Sequence, residues 1–506
     1  MSNASYDYIV VGGGSAGVVV AARLAEDRHL RIALVEAGPN DRDIRQIREL
    51  SRWQSLLESR YDYNYAIEPQ SRGNSCVRHS RGRMLGGCSS HNSCISFVAP
   101  DYDFARWAEV AGDTWDAESV RPYYGRVQQI VNREHSESGN AAVEGFLSAA
   151  AQIGFPRTDF TGPFDESAGW FLLNKRGYLR ESSSAAYFHG QGGIPENISL
   201  YSETTVTRLT GEPEADGTFR ATGVETSAGT LSAEREVILS AGAFDTPKLL
   251  MLSGIGPDGE LARHGIETRV ALAGVGQHLL DHPEGVVIFE ADDPVPPETS
   301  QHYEAGLFAR VEKEAGWPDL MLHLGTQCFD MHTGPAGYPS SANAISLTPN
   351  VARAKSEGVV RLKSADPVDP PSIDFRYFTD PYGYDEKIMI EGIRLSRRLA
   401  AQDAMKRWAR RELAPGPAVQ SDRQIASYIR KTHNTVYHPV GTCRIGRDED
   451  PMAVVDPMLR VRGTAGLRIA DASVFPHLTS VNPNMTVYMV GERCADFIRA
   501  SGHPPG

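Results

Sequence analysis

The sequence predicts an α/β protein of two domains, and three observations lead to this fold class. The chain has 506 residues, well above the roughly 250–300 at which a single hydrophobic core stops growing. Its N-terminal part follows a strand–turn–helix–strand pattern, as a parallel sheet requires. Its middle part alternates apolar and polar residues, which is typical of strands in an antiparallel sheet.

The N-terminal unit carries a glycine pattern. YDYIVVGGG is an apolar, β-branched run that predicts a buried strand, and the patterns VVVAARLAE and RIALVEAG predict a helix and a second strand. Between them, Gly12, Gly14 and Gly17 form GxGxxG, which lets backbone N–H groups approach a pyrophosphate. Glu36 ends the second strand, where it can accept hydrogen bonds from ribose hydroxyls. The unit predicts a dinucleotide site without separating NAD from FAD; a glycine-rich turn without a ligand is the alternative.

Two later segments extend this domain. EREVILSAGAFDTPKLLMLSGIG predicts a strand at Glu236–Leu239 and a helix capped by Asp245, with Pro247 in its first turn. Near the C-terminus, GLRIADASVFP predicts a strand and a turn, and NPNMTVYMVGERCADFI predicts a helix capped by Asn482. Because both segments lie far from the first unit, we expect a nucleotide domain assembled from separated pieces.

The middle of the chain, from about residue 284 to 435, has a different pattern. GVVIFEAD, GLFARVEK and DLMLHLGT predict strands of an antiparallel sheet. IMIEGIRLSRRLAAQ predicts a helix.

Composition excludes several classes of protein. The net charge of −13 argues against nucleic acid or an anionic membrane surface as the main partner. The apolar stretch YIVVGGGSAGVVVAA is broken by glycines and is shorter than the roughly 20 residues that cross a bilayer. The N-terminus lacks the basic region of a signal peptide, so we expect a cytoplasmic protein. The six cysteines form no CxxC pair, and we expect neither a disulfide framework nor a metal site.

The segment RMLGGCSSHNSCISFVA is too polar for a core helix and too long for a simple turn. Its histidine, His91, is compatible with a metal site, a nucleophile dyad or a cofactor anchor. The spacing of Cys88, His91 and Cys94 matches no common zinc pattern, which argues against the metal site and leaves the other two interpretations open.

Taken together, the motifs resemble those of the glucose–methanol–choline (GMC) flavin oxidoreductases along essentially the whole chain. The resemblance is carried by GGGSAG with Glu36, RMLGGCSSHNS, SAGAFDTPKLLMLSGIGP, VGQHLLDHPEG and ADASVFP…VNPNMT. It implies bound FAD in a doubly wound, Rossmann-like domain and a substrate domain built on an antiparallel sheet covered by helices. We assign residues 1–144, 185–283 and 436–506 to the FAD-binding domain, and residues 145–184 and 284–435 to the substrate domain.

The match is closest to the choline-oxidising members of that family, through GGCSSHNSC, RKTHNTVYHPVGT, LLDHPEGVV and FTDP. It implies that His91 carries the flavin covalently and that Ser93 faces the flavin. His438 and Asn482 match the catalytic pair, and Glu284 and His323 line the choline pocket. The resemblance also places these residues at the cofactor or the substrate: Asn92 and Asp471 at FAD, and Trp53, Tyr303, Tyr437, Val436 and Phe329 at the substrate.

The chemistry of alcohol oxidation is compatible with these residue types. The reaction removes a hydroxyl proton and a carbon hydride, and histidine can exchange a proton near neutral pH. By themselves, His438 could equally be a buried structural histidine and Asn482 a helix cap. Whether His438 is the base or stabilises the alkoxide as an imidazolium, and whether His323 takes the proton instead, stays open at this point.

The aromatic residues bear on specificity. A trimethylammonium group is held by aromatic faces and a nearby negative charge, with each aromatic contact contributing roughly 0.5–2 kcal/mol. Tyr303 departs from the choline-oxidising members, which have tryptophan there, so a different amino alcohol is an alternative substrate.

The expected activity is oxidation of choline to betaine aldehyde and on to glycine betaine. O2 would be reduced to H2O2, and we expect a homodimer. The alternatives are a dehydrogenase with another electron acceptor, a hydroxynitrile lyase of the same fold and a nicotinamide-dependent dehydrogenase.

Overall fold

A computed structural model describes residues 4–501, whose main strands form two eight-stranded sheets. In the first sheet, Ala4–Val11 lies between Ile32–Val35 and Gly229–Leu239 and runs parallel to both. Burial on both faces explains the apolar runs of these central strands. The order of the sheet is Val206–Pro213, Phe219–Thr226, Gly229–Leu239, Ala4–Val11, Ile32–Val35 and Ile198–Tyr201, with Thr464–Ala465 and Leu467–Ile469 paired beside it.

The second sheet is antiparallel throughout. Its order is Arg411–Ala414, Val287–Glu290, Ala344–Val351, Leu320–Gly325, Ala305–Ala309 and Ser167–Trp170, with Pro283–Glu284 and Asn434–Thr435 attached at one side. Helices Tyr384–Ala400 and Ala141–Gln152 pack on this sheet. Together the two sheets confirm the predicted fold class.

Helices on the first sheet approach each other closely. Helix Ser15–Leu24 is buried along most of its length and packs against helix Asn484–Ser501. Gly491 allows this contact, because a Cβ there would lie 3.0 Å from the carbonyl oxygen of Ala16.

Within residues 4–501 the α-helices are Ser15–Leu24, Arg45–Arg48, Asp101–Ala111, Ala117–Ile130, Ala141–Gln152, Ser183–Tyr187, Gly242–Leu252, Asp258–Arg263, Tyr384–Ala400, Asp422–Thr432 and Asn484–Ser501.

Smaller elements complete the fold. The minor strands are Tyr65–Ala66 with Arg78–His79; Arg133–His135 with Leu172–Arg176 and Leu179–Arg180; Ile255–Gly256 with Val270–Ala271; and Val359–Arg361 with Ser372–Asp374. Among the helices of residues 4–501, none is long and apolar enough to span a membrane.

The carboxyl edge of the first sheet positions the site. The parallel strands of this sheet end at this edge, and the residues that follow four of them include Gly12, Glu36, Ser240 and Asp471. In an open α/β sheet, ligands bind where the carboxyl ends of the strands meet. The second sheet faces the same space with Glu284 and His323.

Candidate active site

A cavity of about 880 Å³ is lined by residues of both sheets. The predicted site residues that line it are Gly12, Gly14, Glu36, Trp53, His91, Asn92, Ser93, Glu284, Tyr303, His323, Phe329, Val436, Tyr437, His438, Asp471 and Asn482. Gly17 lies outside the lining. The folded chain thus brings sixteen of the seventeen predicted residues to one space, from segments more than 400 residues apart in sequence.

The three glycines of the first turn have different tasks. Gly12 has a φ of +97°, and a Cβ there would lie 2.5 Å from the Ser240 carbonyl oxygen. A Cβ on Gly17 would lie 1.9 Å from the Gly12 carbonyl oxygen. At Gly14 the nearest atom to an added Cβ is 3.8 Å away. Gly12 and Gly17 are therefore required by packing, and Gly14 leaves the helix N-terminus open to an anionic ligand.

Glu36 closes the same turn from the next strand. Its carboxylate accepts hydrogen bonds from the backbone N–H groups of Gly13 at 2.9 Å and Gly38 at 2.8 Å. Burial raises the pKa of Glu36 to about 7, although these two bonds act in the opposite direction. A carboxylate has about four acceptor positions, so Glu36 can still accept bonds from ligand hydroxyls.

Asp471 connects two strand ends. Its Oδ2 accepts from the Gly242 N–H at 2.8 Å and from the Thr246 hydroxyl at 2.6 Å. The prediction that Asp245 caps this helix is wrong, because the helix begins at Gly242 and Asp471 satisfies its first N–H from another segment. Asp245 instead accepts a hydrogen bond from the Tyr65 hydroxyl.

Asn92 and Ser93 follow His91 at the cavity wall. The Asn92 Oδ1 accepts from the Cys94 N–H at 3.0 Å, which stabilises the positive φ of +63° at Cys94. It also accepts from the Arg180 guanidinium at 3.2 Å. This amide therefore shapes the loop that carries His91 as well as lining the cavity.

His91 has a buried ring nitrogen that makes no hydrogen bond within the protein. It directly follows the 3-10 helix Gly87–Ser90 and is 5% exposed. Burial lowers its pKa to about 4, so at neutral pH one ring nitrogen carries a lone pair. Its Nε2 is buried without a hydrogen-bond partner, and the closest carboxylate oxygen, on Asp62, is 3.9 Å away. An unsatisfied nitrogen lining the cavity fits a bond to a cofactor.

The hydrogen bonds around His438 determine which of its nitrogens carries the proton. His282 Nε2 lies 3.1 Å from the Ala352 carbonyl, which can only accept, so Nε2 is the donor. Burial lowers the pKa of His282 to about 4, and the neutral ring then accepts at Nδ1. The Nδ1 atoms of His282 and His438 are 2.9 Å apart, so His438 donates from Nδ1. The His438 Nε2 is left with a lone pair.

Asn482 lies opposite that lone pair. Its Nδ2 is 3.5 Å from His438 Nε2, and its Oδ1 is buried without a partner. The prediction that Asn482 caps the last helix is wrong: the helix is Asn484–Ser501, and the Pro483 carbonyl accepts the first bond, from Val487, at 2.9 Å. The side chain of Asn482 turns to His438 instead.

Asp281 and Thr435 form a hydrogen-bonded group, which we call the clamp, that holds the backbone next to His438. Asp281 Oδ1 accepts from the His438 N–H at 2.9 Å, and its Oδ2 accepts from the Thr435 hydroxyl at 2.5 Å. Thr435 Oγ1 in turn accepts from the Tyr437 N–H at 2.7 Å. Tyr437 has a φ of +63°, which is costly for a bulky residue and needs such support.

The substrate side contains one buried carboxylate. Glu284 is 7% exposed and its Oε1 lies 3.6 Å from His323 Nδ1. Burial raises the pKa of Glu284, and the neighbouring His323 partly opposes that shift. His323 Nε2 is itself buried without a partner.

Aromatic rings line the same cavity as this carboxylate. The ring centroids of Trp53 and Tyr303 are 6.2 Å apart, and those of Tyr303 and Phe329 are 6.1 Å apart. We call Trp53, Tyr303, Phe329, Tyr437 and Glu284 the aromatic cage. Its rings and single buried carboxylate suit an organic cation.

Three supporting residues were not selected from the sequence as site residues: Asp62, Asp281 and Thr435. Each acts through a contact with a residue distant in sequence or through its backbone neighbours, and no periodicity or motif reveals this. His282 is a further supporting residue, because its Nδ1 is hydrogen-bonded to His438. Its position two residues before Glu284 in DHPEG was the available signal.

A dinucleotide turn that opens into a pocket with a histidine, an asparagine and a buried carboxylate defines an oxidoreductase with a nucleotide cofactor. Models of the GMC oxidoreductase family match residues 6–284 and 354–491. The chain belongs to the GMC oxidoreductases, and FAD is its cofactor. The glycine turn, Glu36 and the unpartnered nitrogen of His91 fit that group.

The relatives by sequence include proteins named for choline. The chain is 49% identical to choline oxidase of Arthrobacter globiformis, over 99% of this chain and 95% of that protein. It is 33% identical to mitochondrial choline dehydrogenase of Mus musculus, over 99% and 90% of the two chains. Among solved structures, pyridoxine 4-oxidase from Mesorbium loti superposes with a TM-score of 0.89 at 27% identity, covering 99% of this chain and 100% of that one.

Proposed function

We propose that the chain oxidises choline to betaine aldehyde and then to glycine betaine, with O2 reduced to H2O2. The observation that carries the proposal is Glu284, a buried carboxylate inside an aromatic cage and in the same cavity as His438. A trimethylammonium group has no N–H to donate, so rings and one negative charge are what can hold it. The 49% identity to a choline oxidase supports the same substrate.

FAD supplies the acceptor for the hydride, at its N5 atom. We propose that His91 holds this cofactor covalently, because its Nε2 is buried, unpartnered and at the cavity wall. Gly12, Gly14, Glu36, Asn92 and Asp471 would hold the rest of the cofactor. The test is acid precipitation of the purified protein: the yellow colour stays with the pellet if the bond exists and washes away if it does not.

We propose His438 as the proton acceptor. A substrate hydroxyl between His438 Nε2 and Asn482 Nδ2 can donate its proton to the lone pair and accept the amide N–H. His438 then holds two protons, and loss of the hydroxyl proton makes it easier for the carbon to release a hydride. We prefer His438 to His323 because the Asn482 amide lies 3.5 Å from the His438 Nε2. Ser93 would orient the alcohol, and Val436 and Phe329 supply apolar walls.

The test compares two alcohols that have the same shape and differ only in their charge. Peroxide formation is measured with choline and with its uncharged tert-butyl isostere. The proposal predicts a much higher kcat/KM for choline, and equal efficiency would contradict the cage. Little peroxide with rapid reduction of a quinone would favour the second candidate, a choline dehydrogenase, which relatives with dehydrogenase names at 32–33% identity also support.

We further propose the division into FAD-binding and substrate domains at the boundaries given above, a homodimer and a cytoplasmic location. The distribution of the two sheets along the chain supports the division. Limited proteolysis, sedimentation of the purified protein and cell fractionation test them.

A further inference from the structure

The aromatic cage contains a hydroxyl group without a partner. Tyr303 is 8% exposed, and its hydroxyl is buried and makes no hydrogen bond. The side chain of Gln327 lies close to it, but not in hydrogen-bond geometry. An unsatisfied buried hydroxyl is unfavourable, so a ligand that bonds to it gains free energy on binding.

The hydroxyl stays protonated and lies in the field of the Glu284 carboxylate. Burial raises the pKa of Tyr303, and the negative charge of Glu284 raises it further. Glu284 and Tyr303 line the same cavity, so a cation attracted by Glu284 can reach the Tyr303 oxygen, which still has acceptor capacity. Glu284 balances the charge of any ammonium, whether or not it carries a hydrogen. A contact that discriminates between tertiary and quaternary amines must come from a hydrogen-bond acceptor at the N–H, and the unpartnered Tyr303 oxygen is such an acceptor.

Resting on the proposed function, we infer that the Tyr303 oxygen accepts a hydrogen bond from the N–H of a protonated tertiary amino alcohol. The preferred substrate class then extends to N,N-dimethylated 2-aminoethanols. A quaternary ammonium cannot make this bond and leaves the Tyr303 hydroxyl unsatisfied. Tyr303 is thus a specificity-determining residue.

The test compares N,N-dimethylaminoethanol with choline at neutral pH, where the tertiary amine carries its proton. The quantity is the ratio of the two kcat/KM values, dimethylated over trimethylated, in the wild type and in Tyr303→Phe. One hydrogen bond corresponds to a fall in this ratio of about tenfold in Tyr303→Phe. The ratio does not depend on the fraction of correctly folded enzyme. If Tyr303→Phe is purified without flavin, the ratio of the two kcat/KM values is measured in Tyr303→Leu, which also removes the hydroxyl. The same fall in the ratio is expected there.

Tyr437→Phe is the matched control, because the Tyr437 hydroxyl already has the Asn434 amide at 3.4 Å. Its loss is expected to affect both substrates alike and leave the ratio at the wild-type value. An unchanged ratio in Tyr303→Phe, or an equal fall in Tyr437→Phe, overturns the inference. Failure of the wild type to oxidise either amine contradicts the proposed function itself, which is a separate result.

Discussion

The cofactor half and the substrate half of the cavity are built in different ways. The cofactor half uses the carboxyl edge of the first sheet, and its key groups are glycines and the carboxylates Glu36 and Asp471 that hold backbone N–H groups. The substrate half uses side chains from distant segments, such as Glu284, His323 and His438, which meet only in the folded protein.

The contrast shows where each half is sensitive. The cofactor half depends on space, because a single added Cβ would collide with backbone. The substrate half depends on charge and on proton positions, because its polar atoms are buried and several lack a protein partner.

Replacing His438 tests the substrate half most severely. His438→Ala removes the lone pair that accepts the hydroxyl proton, and kcat is expected to fall by about 10²–10⁴-fold. His323→Ala is expected to cause a smaller loss of kcat. Steady-state rates at matched flavin content measure both. Wild-type turnover in both variants would contradict the assignment.

Adding a methyl group tests the cofactor half. Gly17→Ala places a Cβ 1.9 Å from a backbone oxygen, so the turn must open, and FAD retention is expected to fall about tenfold or more. The flavin absorbance per protein measures this. Gly125→Ala is the control, because an added Cβ there meets no atom within 4 Å. Full flavin content in Gly17→Ala would show that the turn is not constrained.

Removing the cage charge separates binding of the cation from the chemistry. Glu284→Gln is expected to raise KM for choline by about tenfold, or ~1.4 kcal/mol, since one buried charge interaction is lost. KM for the tert-butyl isostere is expected to stay near wild type. A parallel change for both substrates would mean that Glu284 only supports the fold.

The same carboxyl predicts a pH dependence. Burial raises the pKa of Glu284, so protonation begins at a higher pH than for an exposed glutamate. The neutral form attracts the cation less, and KM for choline should rise as pH falls through that raised pKa, by up to about tenfold per pH unit. The isostere is the control for other titrations. Identical pH profiles of KM for the two substrates would refute this.

The clamp beneath His438 is expected to give the smallest effect. Thr435→Val removes the bonds to Asp281 and to the Tyr437 N–H, and kcat/KM should fall about threefold to tenfold. Thr432→Val, a buried threonine that bonds only within its own helix, is the control and should keep wild-type kinetics. Equal losses in both variants would indicate general destabilisation.

Local patterns predicted the cofactor half well. The strand, glycine turn and Glu36 lie within one short segment, so their spacing alone places them together. The helix caps were predicted wrongly at Asp245 and Asn482. In each case a residue distant in sequence changed the outcome: Asp471 satisfies the first helix, and His438 draws away the side chain of Asn482.

In the substrate half, sequence could name residues but not their relations. The resemblance selected His438 and Glu284, yet which nitrogen of His438 is free follows from the Ala352 carbonyl and His282. Likewise, Asp62 beside His91 and the unpaired hydroxyl of Tyr303 are consequences of tertiary packing. Such contacts leave no periodic trace in the chain.

Oxidation of choline by the bound flavin is tested most directly by mixing the purified protein with choline without oxygen and following the absorbance of the flavin. We expect the yellow colour to bleach with wild-type protein and far more slowly with His438→Ala. When air is admitted, the colour should return and H2O2 should form. A flavin that stays oxidised in the presence of choline would contradict it.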